Sequence, residues 1–306
     1  MHPNAVRLAS TSHVQKEQSA RTLPLLLELS KPGITLMEVV TAVVGFWVAR
    51  PWEHFGTGEL LLRLGGLAIG VLLLGASAGA LNHLVERSND ARMLRTALRP
   101  LASGRLSVRG GTVFAVAMFI AGSVALVALD WMVALLGIAT VVLYIAVYTP
   151  LKTISPLALY IGGIPGALPV VGGWVAGGGS LLSIEALVLG LIMFWWQLPH
   201  FLALAIMYAD DYRRGGFALL ADGAAKPLAW HIFFYSVLLI VSASCWSIVG
   251  RAGVLYTLGC VVLSVLLLVR CIELVRQPSA SQGRAVLMAT YVFLMGLFLL
   301  AAVDVR

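Results

Sequence analysis

The sequence predicts an all-α, multi-pass membrane helical bundle, with nine transmembrane helices around a central cavity that opens to the cytoplasmic side. Three observations predict this. First, 60% of the 306 residues are apolar, 11% are charged, and the mean hydropathy is +0.94. Soluble domains are about 45–50% apolar and about 25% charged, so a soluble fold could not keep this much apolar surface from water. Second, nine segments are long and apolar enough to cross a bilayer, which takes about 20 residues each. Third, the basic residues gather on one side of those segments, and so do the acidic clusters.

Taken in order, the first thirty residues carry His2, Arg7, His13, Lys16, Glu17 and Arg21 but no long apolar core. We therefore expect no cleavable signal peptide, a cytoplasmic N-terminal segment over 1–30 and the bundle over 31–306. Residues 23–29 are too few to span and would lie along the interface. The spans are expected at 33–49, 64–84, 111–129, 131–148, 157–176, 184–206, 228–249, 252–269 and 285–303. Their continuity excludes a β-barrel, whose strands alternate in short runs. The first holds Glu38, near a cavity mouth or paired. The third and fourth are separated only by Asp130, which makes a tight helical hairpin. Gly162, Gly163, Pro165, Gly166 and Pro169 in the fifth would kink it and open space in the bundle. Cys245, Cys260 and Cys271 lie in or beside apolar runs without CxxC spacing, so they read as small core residues.

With the N-terminus inside, the inner connections hold seventeen Lys and Arg and the outer ones four. That asymmetry sets orientation and makes the net charge of +7 a topology signal. No nucleic-acid recognition module is visible. The second and sixth spans each end in a long inner loop, 85–110 and 207–227, mixing acids and bases. Two such loops on one face suggest an internal repeat closing over one cavity.

The candidate chemistry lies there. Asn82, Glu86 and Asp90 are spaced i, i+4, i+8 and fall along one helical stripe. Oxygen donors so arranged suit Mg²⁺, and Arg95 and Arg99 beyond them suit diphosphate oxygens; a solvated, topology-fixing loop would read the same way. Asp210, Asp211, Arg213 and Arg214 form the second cluster. Upstream, Gln197 and His200 share a helix face inside the membrane, where polar groups need partners or a ligand. Trp195 and Trp196 alone would be an interface belt. Tyr148 and Lys152 close the short loop between the fourth and fifth spans, where Lys152 is the only base.

In that order, Asn82-x-x-x-Glu86-x-x-x-Asp90-x-x-Met93-x-Arg95-Thr96-x-x-Arg99-Pro100, then Tyr148-Thr149-Pro150-Leu151-Lys152, then Trp196-Gln197-Leu198-Pro199-His200-Phe201, the chain resembles the heme O synthase (protoheme IX farnesyltransferase) branch of the UbiA-type intramembrane prenyltransferases. The resemblance implies farnesyl diphosphate and heme B as substrates, with Mg²⁺ as cofactor. It implies metal binding by Asn82, Glu86, Asp90, Asp210 and Asp211 and diphosphate binding by Arg95, Arg99, Lys152 and Arg213. His200, Gln197 and Tyr148 would face heme, and Asn82, Glu86, Asp90, Lys152 and His200 would carry catalysis. It also implies a bacterial inner membrane location, with active site cytoplasmic and C-terminus outside. Heme A synthase or terminal-oxidase assembly factors become partner candidates. The chain departs from the pattern at His83, at Ser88 where an Asp is usual, at Ala158 where an Asn is usual, and at Ala218-Leu219-Leu220-Ala221. A quinone-precursor or other acceptor, or heme binding without catalysis, stay open at this point.

Overall fold

A computed structural model of the chain describes residues 22–218 and 225–306; most of the N-terminal segment and Leu219, Leu220 and Ala221 lie outside the described residues. Helix α1 (Thr22–Leu29) meets α2 (Pro32–Val48) at 52°. The break falls at Lys31, which takes a left-handed conformation (φ 49°) just before Pro32. Proline fits a first helical turn, where its missing N–H leaves no gap. Then come α3 (Thr57–Asp90), α4 (Val108–Leu129), α5 (Trp131–Val142), α6 (Ala158–Ala176), α7 (Ile184–Met207), the short α8 (Ala209–Arg214), α9 (Ala225–Ile248), α10 (Val254–Arg276) and α11 (Ala280–Val303). Asp130 separates α4 from α5 as the composition implied. Its extended backbone ends one helix, and its carboxylate accepts from the Met132 and Val133 N–H groups to start the next. From Leu143 to Tyr148 α5 continues as a π-helical turn.

Among the described residues eight helices are long and apolar enough to cross a membrane, and the bent α1–α2 pair makes nine. This is a multi-pass integral membrane protein. The second span runs further than expected: α3 continues through Asp90, so Glu86 and Asp90, which fall in the expected loop 85–110, stand on the helix with Asn82. Helices α6 and α7 form the centre of the bundle. Their span windows are 67% and 61% buried, against 17% for α4, which turns most of its surface outward. Helix α6 packs on α2, α5 and α7, while α7 packs on α9 and α11. Where α2 crosses α6, a side chain at Gly173 would run into the Ala42 carbonyl. Glycine therefore sets this close approach, as small residues do where helices pack without water to drive them. Pro165 and Pro169 sit inside α6. Cys260 and Cys271 are buried and Cys245 partly so, all three as free thiols.

Candidate active site

A cavity of about 570 Å³ runs into the bundle between α2, α3, α5, α6, α7 and α11. Its wall carries Asn82, Glu86, Asp90, Arg95, Arg99, Tyr148, Lys152, Gln197 and His200 together, from three of the expected spans and two of the loops. The stripe on α3 is buried: Asn82 is 0%, Asp90 2% and Glu86 7% exposed. Buried carboxylates need partners, and each has one. Lys152 Nζ donates to Glu86 at 2.9 Å, and Arg99 holds both Asp90 oxygens at 2.7 and 2.9 Å. Lys31 Nζ donates to Asn82 Oδ1, whose amide in turn donates to Thr149 Oγ1 at 3.3 Å. Three bases thus face three oxygen donors along one helix face. Burial alone would lower the Lys152 pKa, but Tyr148, Glu86 and Tyr144 around it outweigh that and hold the ammonium above its ordinary range. Its Nζ also lies 4.5 Å from the Tyr148 ring centroid.

The second acidic cluster takes a different position. Asp210 pairs with Arg213 at the surface, with side chains 78% and 59% exposed. Neither lines the cavity. Asp211 is buried, but its oxygens accept from the Leu94 and Arg95 backbone N–H groups at 3.2 Å each and from Arg214 at 2.5 Å. Those bonds, Arg214 first, hold its carboxyl below the usual range. Asp211 therefore ties α8 to the loop after α3 and faces that loop's backbone, away from the cavity. Asn89 Nδ2 donates to Gly215 O at 2.8 Å, tying the end of α3 to the segment after α8, and Ala218 N–H donates to Lys152 O at 2.8 Å, tying that segment to the loop after α5. Asp210 and Asp211 thus stand apart from Asn82, Glu86 and Asp90, and among the described residues no three His, Cys, Asp or Glu side chains group together as a metal site would. Asn82, Glu86 and Asp90 remain as hard oxygen donors at a cavity edge, a set that fits a divalent cation completed by substrate oxygens.

Deeper in, His200 is 6% exposed and its Nδ1 lies against Thr290. Thr290 Oγ1 donates to Leu287 O at 2.7 Å, so at 3.1 Å from His200 Nδ1 it must accept. With Thr290 accepting, the His200 proton sits on Nδ1, and Nε2 keeps a lone pair with no partner among the described residues. The ring is clamped between Trp196, 4.7 Å away, and Tyr291, edge-on at 4.8 Å. Trp196 Nε1 donates to Thr290 O at 2.7 Å, so Trp196 is an interior anchor rather than part of an interface belt. Gln197 spends its amide on Gly163 O and Met193 O and shapes the wall of α6.

Ser88 points outward, exposed, and His83 is buried off the cavity with no hydrogen-bond partner among the described residues, while Ala158 lines it. Lys31, Thr149 and Thr290 had no expected role in the site: Thr149 stood in the Tyr148–Lys152 motif without one. Lys31 counted only as a topology charge, and Thr290 carries no motif.

The UbiA prenyltransferase family matches residues 39–300. A protoheme IX farnesyltransferase of Solibacter usitatus is 35% identical over 275 residues, covering 88% of this chain and 94% of that protein. One from Christiangramia forsetii is 37% identical over 231 residues, 75% of this chain and 72% of its own length. Among solved structures, one of digeranylgeranylglyceryl phosphate synthase superposes with a TM-score of 0.74 at 16% identity, covering 92% of this chain and 98% of that one. A UbiA homolog from Archaeoglobus fulgidus bound to GPP and Mg²⁺ superposes at 0.61 with 15% identity, covering 90% and 99%.

Proposed function

The chain belongs to the UbiA prenyltransferase family, and from that premise we propose that it transfers the farnesyl group of farnesyl diphosphate to a vinyl group of protoheme IX (heme B), giving heme O. The observation that carries this reading is the meeting, in one cavity, of the Asn82–Glu86–Asp90 stripe with Lys31, Lys152 and Arg99, and of a histidine whose Nε2 is left free.

Diphosphate binds where the bases are. Lys152, Arg99 and Lys31 exchange their present carboxylate and amide partners for diphosphate oxygens, and Arg95 joins them from the mouth. Asn82, Glu86 and Asp90 would hold Mg²⁺, which when bound neutralises charge developing on the leaving diphosphate. The bases do the same work from the protein side. Tyr148, beside Lys152, belongs to this half of the cavity rather than to the heme half. The farnesyl C1–oxygen bond breaks, its electron pair leaves with diphosphate, and the vinyl π electrons form the new carbon–carbon bond. The cation this leaves on the ring-side vinyl carbon is closed by water, whose oxygen bonds there as one of its protons is lost, giving a hydroxyl. Apolar walls, including Ile34, Met37, Leu159 and Leu294, keep water from meeting the allylic cation first. His200 Nε2 faces the heme, and Trp196 and Tyr291 keep the imidazole from turning away. Asp210, Asp211 and Arg213 are assigned no metal or substrate contact; Asp211 positions the Arg95 loop.

The basic face is the cytoplasmic one, with the N-terminus inside and the C-terminus outside, in a bacterial inner membrane. The decisive experiment is a product assay: protein in detergent with heme B, farnesyl diphosphate and Mg²⁺, followed by mass spectrometry of extracted heme. Farnesylated heme that disappears with EDTA is expected. Unmodified heme from a folded sample would overturn the reading.

A further inference from the structure

Three carboxylates line the cavity, and two of them are ion-paired. The third is Glu38, inside the membrane on α2, and among the described residues its carboxylate makes no hydrogen bond or ion pair. An intramembrane carboxylate without a partner is costly to keep and marks function more often than packing. The fold makes room for it: a Cβ at Gly75 on α3 would collide with its Oε2.

Glu38 also lines a second, smaller cavity of about 30 Å³ on the far side, between α3, α4, α5 and α6. That is space for one or two waters, at about 10–15 Å³ each. Its only other hydroxyl-bearing lining residue is Thr140, which lines the main cavity too. Thr140 Oγ1 donates its proton to Leu136 O at 2.8 Å, so toward the pocket it can only accept. Thr41 and Thr35, nearby in the main cavity, likewise spend their protons on backbone carbonyls. Among side chains, water in the small pocket therefore meets acceptors only. It donates both its protons, one toward Glu38, and keeps its lone pairs for an electrophile.

Resting on the farnesyl-transfer reading above, we propose that Glu38 is the general base for the water that ends the reaction, and that the small pocket behind it supplies that water. Once the farnesyl carbon has bonded to the terminal vinyl carbon, positive charge sits on the vinyl carbon attached to the porphyrin ring. The water oxygen bonds to that carbon, its O–H bond breaks, and the proton passes to a Glu38 carboxylate oxygen. Glu38 loses it to solvent when product leaves. Without the base, the same cation decays by losing a proton from the adjacent CH₂ to solvent or diphosphate. That leaves a double bond and a product lighter by one water.

The product assay above tests this by mass. Wild-type protein is expected to make the hydroxylated product, and Glu38→Gln a majority of the farnesylated heme that lacks the water. Glu38→Asp should restore hydroxylation in part. Hydroxylated product from Glu38→Gln at wild-type rate and proportion overturns the proposal. So does complete loss of farnesylation in both variants, which would place Glu38 in an earlier step. Should the Gln variant fail to fold, Thr140→Val carries the test: both products are expected, and wild-type product alone refutes the assignment. Unmodified heme from the wild-type protein is a different result, since it removes the farnesyl-transfer reading itself.

Discussion

Glu86 and Lys152 show why the acidic stripe cannot be treated as a surface loop. Both are largely buried and each is the other's main partner, and breaking a buried pair from one side costs about 3–5 kcal/mol because it strands the remaining charge. Glu86→Gln is therefore expected to lower the melting temperature in detergent as well as to reduce turnover by about 100-fold or more. The double variant Glu86→Gln/Lys152→Met should regain stability without regaining activity. Thermal melts beside the product assay separate these effects, and a stable, active Glu86→Gln protein would remove the residue from the site. Thr290 acts at one remove. Thr290→Val keeps the shape of a fully buried side chain but leaves the His200 Nδ1 proton without its acceptor. Heme binding, followed by absorption titration, should weaken about 10–100-fold, as such supporting partners usually do. Unchanged affinity and spectrum would mean that His200 does not face the heme.

At the scale of elements, α8 works as a latch. Asp211 links it to the amides of Leu94 and Arg95, so the loop bearing Arg95 and Arg99 depends on one ionised carboxylate. Its folded pKa is depressed. The stability it adds is thus complete above the unfolded value of about 3.9 and drains away as pH falls below that, through the folded value. Hydrogen exchange at the Leu94 and Arg95 amides should accelerate in that acid window in the wild type, and at all pH values in Asp211→Asn. Equal protection in the two proteins would refute the latch. The α2–α6 crossing is the other element under tight constraint. Gly173→Ala forces α6 away from the Ala42 carbonyl, which should cost about 1–3 kcal/mol, read as a lower melting temperature. Wild-type stability would mean the crossing has slack.

For the whole molecule, the alternation of connections supports one basic face. The loops after α3 and α5 and residues 215–218 after α8 meet at the cavity mouth. At the opposite end Arg251 pairs with Glu185, and the chain end pairs Val305 with Ala252. A single cysteine placed at exposed Ser103, in a Cys245→Ala background, should react with membrane-impermeant maleimide only in inverted vesicles. One at exposed Ser180 should react only from the outside of intact cells. Reaction of both from one side would overturn the orientation, and with it the cytoplasmic site.

Composition and spacing alone determined that the chain crosses a membrane about nine times, that its bases mark one face, and that Asn82, Glu86 and Asp90 share a helical stripe. These follow from local properties: hydropathy over about 20 residues, charge counts and the 3.6-residue period. Three things were decided only by tertiary structure. Asp210 and Arg213 went to the surface, and Asp211 to backbone amides, because α8 turns its buried side toward the loop after α3. Lys31, Thr149 and Thr290 joined the site because helices distant in sequence bring them there. Glu38 was legible as a buried acid, but its free carboxylate and the water-sized pocket behind it exist only where α2, α3, α5 and α6 meet. A partner's identity depends on which helix packs opposite, and no window of sequence contains that helix.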